Sequence, residues 1–189
     1  MFDCFKKDYS KPSKPVESHG EGEPFKPVWG FINPHLKNAG GAMHPQKKVD
    51  EYRYGVMMKN HHDYPLEFRD DGGVYGAAKR LIKHGCNASV ESHKNAYNKK
   101  VNGMEILVLK NDRLSIEYAE MFIEEFRVMF PGVPIRGIKQ KSKGDRGAKN
   151  LIDAKRAGMD IALLTEDFFI DSHWIAPQKL AEFYKRVLN

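Results

Sequence analysis

The sequence predicts an α/β fold: one open, twisted, mixed but mostly parallel sheet with helices on both faces. Three observations carry that expectation. Short apolar runs of strand length alternate with longer segments whose apolar residues recur every three or four positions. The periodic segments are closed by helix-ending residues, at Gly85, Pro131-Gly132 and Gly158. The chain has 189 residues, the size of one ordinary domain with its own core, and it shows no internal repeat.

The elements follow in order. Residues 1–26, rich in Lys, Pro, Ser, Gly and Glu, read as a flexible tail, so the folded domain is expected over 27–189. Val28-Trp29-Gly30-Phe31-Ile32 is a strand that stops at Asn33-Pro34. A loop containing Gly40-Gly41 follows, then a short helix from about Asp50, and Leu66-Glu67-Phe68 is a strand. In VYGAAKRLIKHG, Val74, Ala77, Ala78, Leu81 and Ile82 share one helix face, and Gly85 is the expected left-handed cap.

CNASVES at 86–92 and MEILVL at 104–109 are strands. The run 115–130 is the strongest helix, with Ile116, Ala119, Phe122, Ile123, Phe126 and Phe130 on its buried stripe. The basic stretch from Arg136 to Arg146 reads as a solvated loop. DRGAKNLIDAKRAG is a helix closed by Gly158, MDIALLTE is an apolar strand running into Glu166, and residues 176–188 form the last helix.

Composition narrows the classes of function. The chain is 41% apolar and 30% charged, as soluble globular proteins are. No apolar run approaches the roughly 18 residues of a spanning helix, so no stable membrane association is expected. The amino terminus carries lysines without an apolar stretch behind them, so no export signal is expected. Cys4 and Cys86 lie in dissimilar contexts and make no disulfide framework, which points to a reducing cytoplasm. The net charge of +6 and pI near 9.2 favour an anionic partner. Nucleic acid is not the expected one, because the basic residues are interspersed with acids and the aromatics sit at core positions.

Ligands of α/β sheets gather at the carboxyl ends of strands. Three predicted strands deliver a chemically competent side chain there: His35 after 28–33, His93 after 86–92, and Glu166 after 159–165. Glu51, opening the first helix, can turn toward the same edge. Two imidazoles and a carboxylate make a ligand set for catalytic zinc, with one position left for water. A further carboxylate outside that set can take the water's proton and return it to a leaving amine. Glu166, between apolar IALLT and Phe168-Phe169, sits where burial raises a carboxyl pKa. By spacing alone the pattern stays open, since the chain has eight histidines.

The segments INPH (32–35), DEYRYG (50–55), VESHKNAYNKKVNGMEIL (90–107), RGIKQKSKGDRG (136–147) and LLTEDFFIDS (163–172) resemble the zinc-dependent N-acetylmuramoyl-L-alanine amidases of bacterial cell-wall hydrolases and phage endolysins. The resemblance spans about residues 28–189. It implies one Zn2+ per chain held by His35, Glu51 and His93, with Glu166 as the catalytic carboxylate. It also implies hydrolysis of the amide between N-acetylmuramic acid and L-alanine in peptidoglycan, by a monomer. With no export signal, the implied setting is the host cytoplasm, with bacteriolytic action at the wall after release through a membrane hole made by another protein.

One departure stands out: Leu36-Lys37-Asn38 precede Gly40-Gly41, where the family has glycines directly after its first histidine, so a reshaped loop is expected. The stretch between Glu51 and His93 is also too short for the inhibitory helix of regulated relatives, which suits a phage lysin. Several other residues keep two readings. Asn95 either binds substrate or braces its loop. Arg146 is the pick from the basic stretch for a substrate rim. Glu91 either holds the His93 ring or faces elsewhere, and Glu105 is expected to hydrogen-bond near the site. His44 competes with His35 but is expected in an exposed turn, and His61-His62 in a solvated one. The other functions to weigh are a zinc peptidase cutting within the stem peptide and a basic, non-catalytic cell-wall-binding module.

Overall fold

The structure is a computed structural model that describes residues 25–37, 41–69 and 72–188. The expected tail therefore lies almost wholly outside the described residues, as does Cys4. In chain order the elements are β1 (Trp29–Asn33), β2 (Met43–His44), β3 (Val49–Asp50), α1 (Glu51–Lys59), β4 (Leu66–Phe68), α2 (Gly73–Lys83) and β5 (Ala88–Asn95). They continue with β6 (Met104–Leu109), α3 (Arg113–Met129), β7 (Ile135–Lys141), α4 (Ala148–Ala157), β8 (Ile161–Phe169) and α5 (Pro177–Val187).

Six strands form one sheet in the order β4-β1-β5-β8-β6-β7, and β2 pairs with β3 in a separate ribbon. All neighbours in the large sheet are parallel except β6 and β8. The expected mixed, mostly parallel sheet is therefore present. Because β6 runs against β8, its start lies at the edge where β5 and β8 end. That reversal brings Glu105 to the same edge as Glu166.

The helices divide between the two faces. One face carries the large aromatic core of Trp29, Phe31, Phe122, Phe126, Phe183 and Tyr184, packed between the sheet and α1, α3 and α5. The other is smaller, with Leu81 of α2 and Leu151 of α4 against Ile32, Leu107 and Leu164. Gly30 admits α2 to close contact, since a Cβ there would lie 2.6 Å from Leu81 Cδ2.

Five expectations change. The basic stretch is not a loop through its first half, because 135–141 form β7, the sheet's edge strand. Gly137 adopts φ +87° beside a register shift opposite Met104 and Glu105, so Ile135 and Ile138 both pack on the core despite their odd spacing. That bulge hides the alternation a strand normally shows. Strands β5 and β8 also outrun their expected ends, so His93 and Glu166 stand inside paired strands rather than beyond them. Short polar runs were read as strand ends, but the backbone ladder continues through them.

The ribbon β2–β3 replaces part of the expected loop before α1. Finally, His62 is not in solvent: it is buried, with its ring 4.8 Å from that of Phe31, while His61 is exposed. His44 is half-buried on β2, edge-on to Trp174 at 5.2 Å, rather than in an exposed turn.

Candidate metal centre

His35 follows β1 after Pro34, and Glu51 begins α1, where Asp50 caps the helix by accepting from the Arg53 N–H. His93 lies near the end of β5. The fold brings these three together: a donor atom from each lies within 4.8 Å of the others. His35 Nε2 is 3.3 Å from Glu51 Oε1, and His93 Nδ1 is 3.3 Å from Glu51 Oε2. Two ligands bonded at 2.0–2.1 Å on a tetrahedron stand about 3.3 Å apart, the separation of each histidine from its nearer Glu51 oxygen, so the group could hold a metal ion. His35 Nε2 is buried and makes no well-aligned hydrogen bond, as expected of a donor aimed at a shared centre.

Each Glu51 oxygen is fixed by one backbone amide: the Ala42 N–H donates to Oε1 at 2.8 Å and the Lys94 N–H to Oε2 at 3.0 Å. Gly41 closes the wall beside them, with φ +74°, and a Cβ there would sit 2.6 Å from Glu51 Oε1 and collide with His35 Nε2. Gly40, the residue before it, lies outside the described residues with Asn38 and Ala39.

Behind His93 stands Glu91, whose Oε1 is 3.2 Å from His93 Nε2. The same oxygen accepts from Arg69 Nη1 at 3.0 Å and from Asn150 Nδ2 at 3.2 Å. A carboxylate in that position fixes ring orientation and leaves Nδ1 free for a metal. Glu91 thus stands beside the His93 ring rather than facing solvent. Arg69 Nη1 also donates to the Pro34 carbonyl at 2.7 Å, tying the residue before His35 to the carboxylate behind His93.

The charges respond to this crowding. Burial alone would raise the Glu51 carboxyl, but hydrogen bonds and charge from His35 and His93 outweigh it and hold the pKa well below the carboxylate range. Burial opposes protonation of His93, yet the Glu91 carboxylate and hydrogen bonds to Glu51 and Glu91 raise it to about 10. A metal-free His93 therefore keeps a proton between two carboxylates, where a divalent cation would displace it.

Glu166 on β8 pairs across the ladders with His93 and with Glu105. Burial is the largest influence on it and raises its pKa. The positive charges of His93 and Arg146 oppose that, Glu51 and Glu105 reinforce it, and the result is about 7. Glu105 accepts from Arg136 Nε at 3.0 Å.

A cavity of about 430 Å³ opens over the centre, lined by His35, Glu51, His93, Glu105, Glu166 and, at its rim, Arg146. Asn95 lines it as well, and its Oδ1 accepts from the Ala96 N–H at 2.9 Å. His44 is outside the donor cluster.

Arg69, Asn150 and Gly41 were missed in the sequence. Arg69 carried a usable signal, since it follows the end of β4 directly and strand ends face the site. Asn150, in the first turn of α4, becomes legible only when that helix is docked.

No family model matches the chain, and no curated protein matches it. Solved structures do. The catalytic domain of CwlV, an N-acetylmuramoyl-L-alanine amidase from Bacillus (Paenibacillus) polymyxa var. colistinus, aligns at TM-score 0.63 and 17% identity over 86% of this chain and 96% of that one. The CwlD amidase of Clostridioides difficile, solved in complex with the GerS lipoprotein, aligns at 0.64 and 15% over 86% and 98%. The catalytic domain of the CD27L endolysin, which targets Clostridia difficile, aligns at 0.61 and 18% over 87% and 97%. At these identities the likeness is one of fold: the chain has the fold of N-acetylmuramoyl-L-alanine amidase catalytic domains over nearly all of its described length.

Proposed function

We propose that this protein is a zinc-dependent N-acetylmuramoyl-L-alanine amidase that cuts peptidoglycan between N-acetylmuramic acid and L-alanine, as a phage-type endolysin does. The observation that carries the reading is the convergence of His35, Glu51 and His93 at 3.3 Å spacings beside a buried carboxyl raised to about 7, on an amidase-like fold.

One zinc per chain would be held by His35, Glu51 and His93, and it would supply Lewis acidity toward the scissile carbonyl and a water acidified to a pKa of about 7. Glu166 takes the proton of the attacking water on its carboxylate. It then gives that proton to the amine nitrogen of L-alanine as the amide breaks. A pKa of about 7 suits a group that must both accept and donate. Glu91, Arg69 and Asn150 keep His93 from turning. Arg146, at the cavity rim, offers a guanidinium to carboxylates or phosphates of the wall polymer, and Asn95 offers its amide to the substrate. No described helix is long and apolar enough to cross a membrane.

The test is product analysis. Zinc-loaded protein is incubated with purified peptidoglycan, and newly exposed amino groups are labelled and identified. An amidase exposes the amino group of L-alanine, and Glu166→Gln exposes none. Labelled amino groups further along the stem would make the protein a peptidase. An absence of cleavage with binding retained would make it a wall-binding module.

A further inference from the structure

The face of the sheet opposite the metal centre holds a buried ion pair directly beneath it. Lys94 is 1% exposed and Asp167 is fully buried, and their chain neighbours are His93 and Glu166. Lys94 Nζ donates to the Ser92 carbonyl at 3.0 Å and to Ser92 Oγ at 2.7 Å, lies 3.2 Å from Asp167 Oδ2, and sits 4.7 Å from the centre of the Tyr54 ring. Asp167 accepts from Ser92 Oγ and from the Tyr184 hydroxyl, each at 2.6 Å, and Tyr184 shares a 2.8 Å hydrogen bond with Thr165.

The pairing of β5 with β8 is regular through His93 and Glu166, then shifts so that Asn95 meets Phe169. Asp167 and Phe168 thus stand against the single residue Lys94, a bulge at the level of the site. Bulges of this kind re-aim neighbouring side chains. The backbone of Lys94 meanwhile holds Glu51 Oε2. One residue therefore clamps a metal ligand with its amide and the base-bearing strand with its ammonium group.

We infer that Lys94 and Asp167 are positioning residues, which pin the bulge and so fix Glu51 and His93 against Glu166. The inference rests on the amidase reading for its catalytic consequence, but its effect on the metal site stands apart from it. A buried ion pair is a poor source of stability, and apolar residues of similar size often replace one without loss. A purely structural pair would thus leave no trace in the metal centre once replaced.

The experiment compares the holoenzyme with the double variant Lys94→Met/Asp167→Leu and with the milder Tyr184→Phe, which removes one hydrogen bond to Asp167. In the double variant, the apoprotein is expected to melt at or above the wild-type temperature. Zinc affinity, by chelator competition, is expected to fall about 10–100-fold, as when outer partners of metal ligands are lost. The visible spectrum of the cobalt-loaded protein is expected to shift, and kcat to fall with KM nearly constant. Tyr184→Phe is expected to move affinity and kcat in the same direction by less. Wild-type zinc affinity and cobalt spectrum in the folded double variant overturn the inference. If that variant does not fold, the same result in Tyr184→Phe overturns it. Should the wild type cleave no peptidoglycan, only the amidase reading fails, because zinc affinity and the cobalt spectrum still decide this one.

Discussion

Glu166 stands opposite His93 across the parallel β5–β8 ladder, so the proposed base and a proposed metal ligand are held one strand spacing apart by backbone pairing. That spacing is about 4.8 Å between strands, and it does not depend on any loop. The spacing of that pair is therefore a property of the sheet.

Replacing the base separates catalysis from folding. Glu166→Gln is expected to lower hydrolysis by about 10²–10⁴-fold with zinc content unchanged, because general acid–base groups contribute that much. Activity assays beside metal analysis check it.

The same variant is expected to be the more stable one at alkaline pH. The folded chain holds the Glu166 proton up to about pH 7, whereas an unfolded chain releases it near 4.5. The wild-type apoprotein thus loses stability as pH climbs between those values, by up to about 3 kcal/mol, and the loss is complete above the folded pKa. Melting curves of wild type and Glu166→Gln should coincide near pH 4.5 and diverge by pH 8. In the holoenzyme the zinc charge pulls this titration lower, so kcat/KM is expected to reach half its plateau below pH 7.

His62 contributes to the loss of stability toward acid. Burial against Phe31 lowers its pKa below the ordinary 6.5, and both ring nitrogens lack hydrogen-bond partners. The unfolded chain takes up that proton first, so stability present above pH 6.5 is lost as the pH falls. His62→Phe is expected to flatten this loss, as urea midpoints at pH 7.5 and 5.5 would show.

Glu91→Ala and Arg69→Met address the metal site from behind. Each is expected to weaken zinc binding by about 10–100-fold while leaving His35, Glu51 and His93 in the chain. Chelator competition measures it, and unchanged affinity in both would mean that the His93 ring needs no partner.

Gly41→Ala tests the wall of the site. A methyl group there meets His35 and Glu51, and φ +74° is itself unfavourable for alanine, so both zinc content and activity are expected to drop. The melting temperature of the apoprotein should fall by far less than the metal affinity.

Much of this was legible in the sequence. The helix stripe of Phe122 and Phe126, the cap at Gly85 and the strand MEILVL follow from periodicity, since each element buries one continuous apolar set. That His35, His93 and Glu166 would meet at one edge was legible because strand ends in such sheets gather there. What escaped was set by pairing between distant segments. The bulge at Gly137 disguised β7, the burial of His62 depends on Phe31 arriving from another strand, and Arg69 gains meaning only when Pro34 and Glu91 stand beside it. Lys94 and Asp167 carry no such signal, and only the structure brings them together underneath the site.

The most direct test of the account is the metal content of purified protein supplied with zinc, measured beside His93→Ala. About one zinc per chain is expected in the wild type and loss of it in the variant, with the fold retained by circular dichroism. A wild type that takes up no zinc, or a His93→Ala variant that binds it as well as the wild type, would contradict the account at its centre.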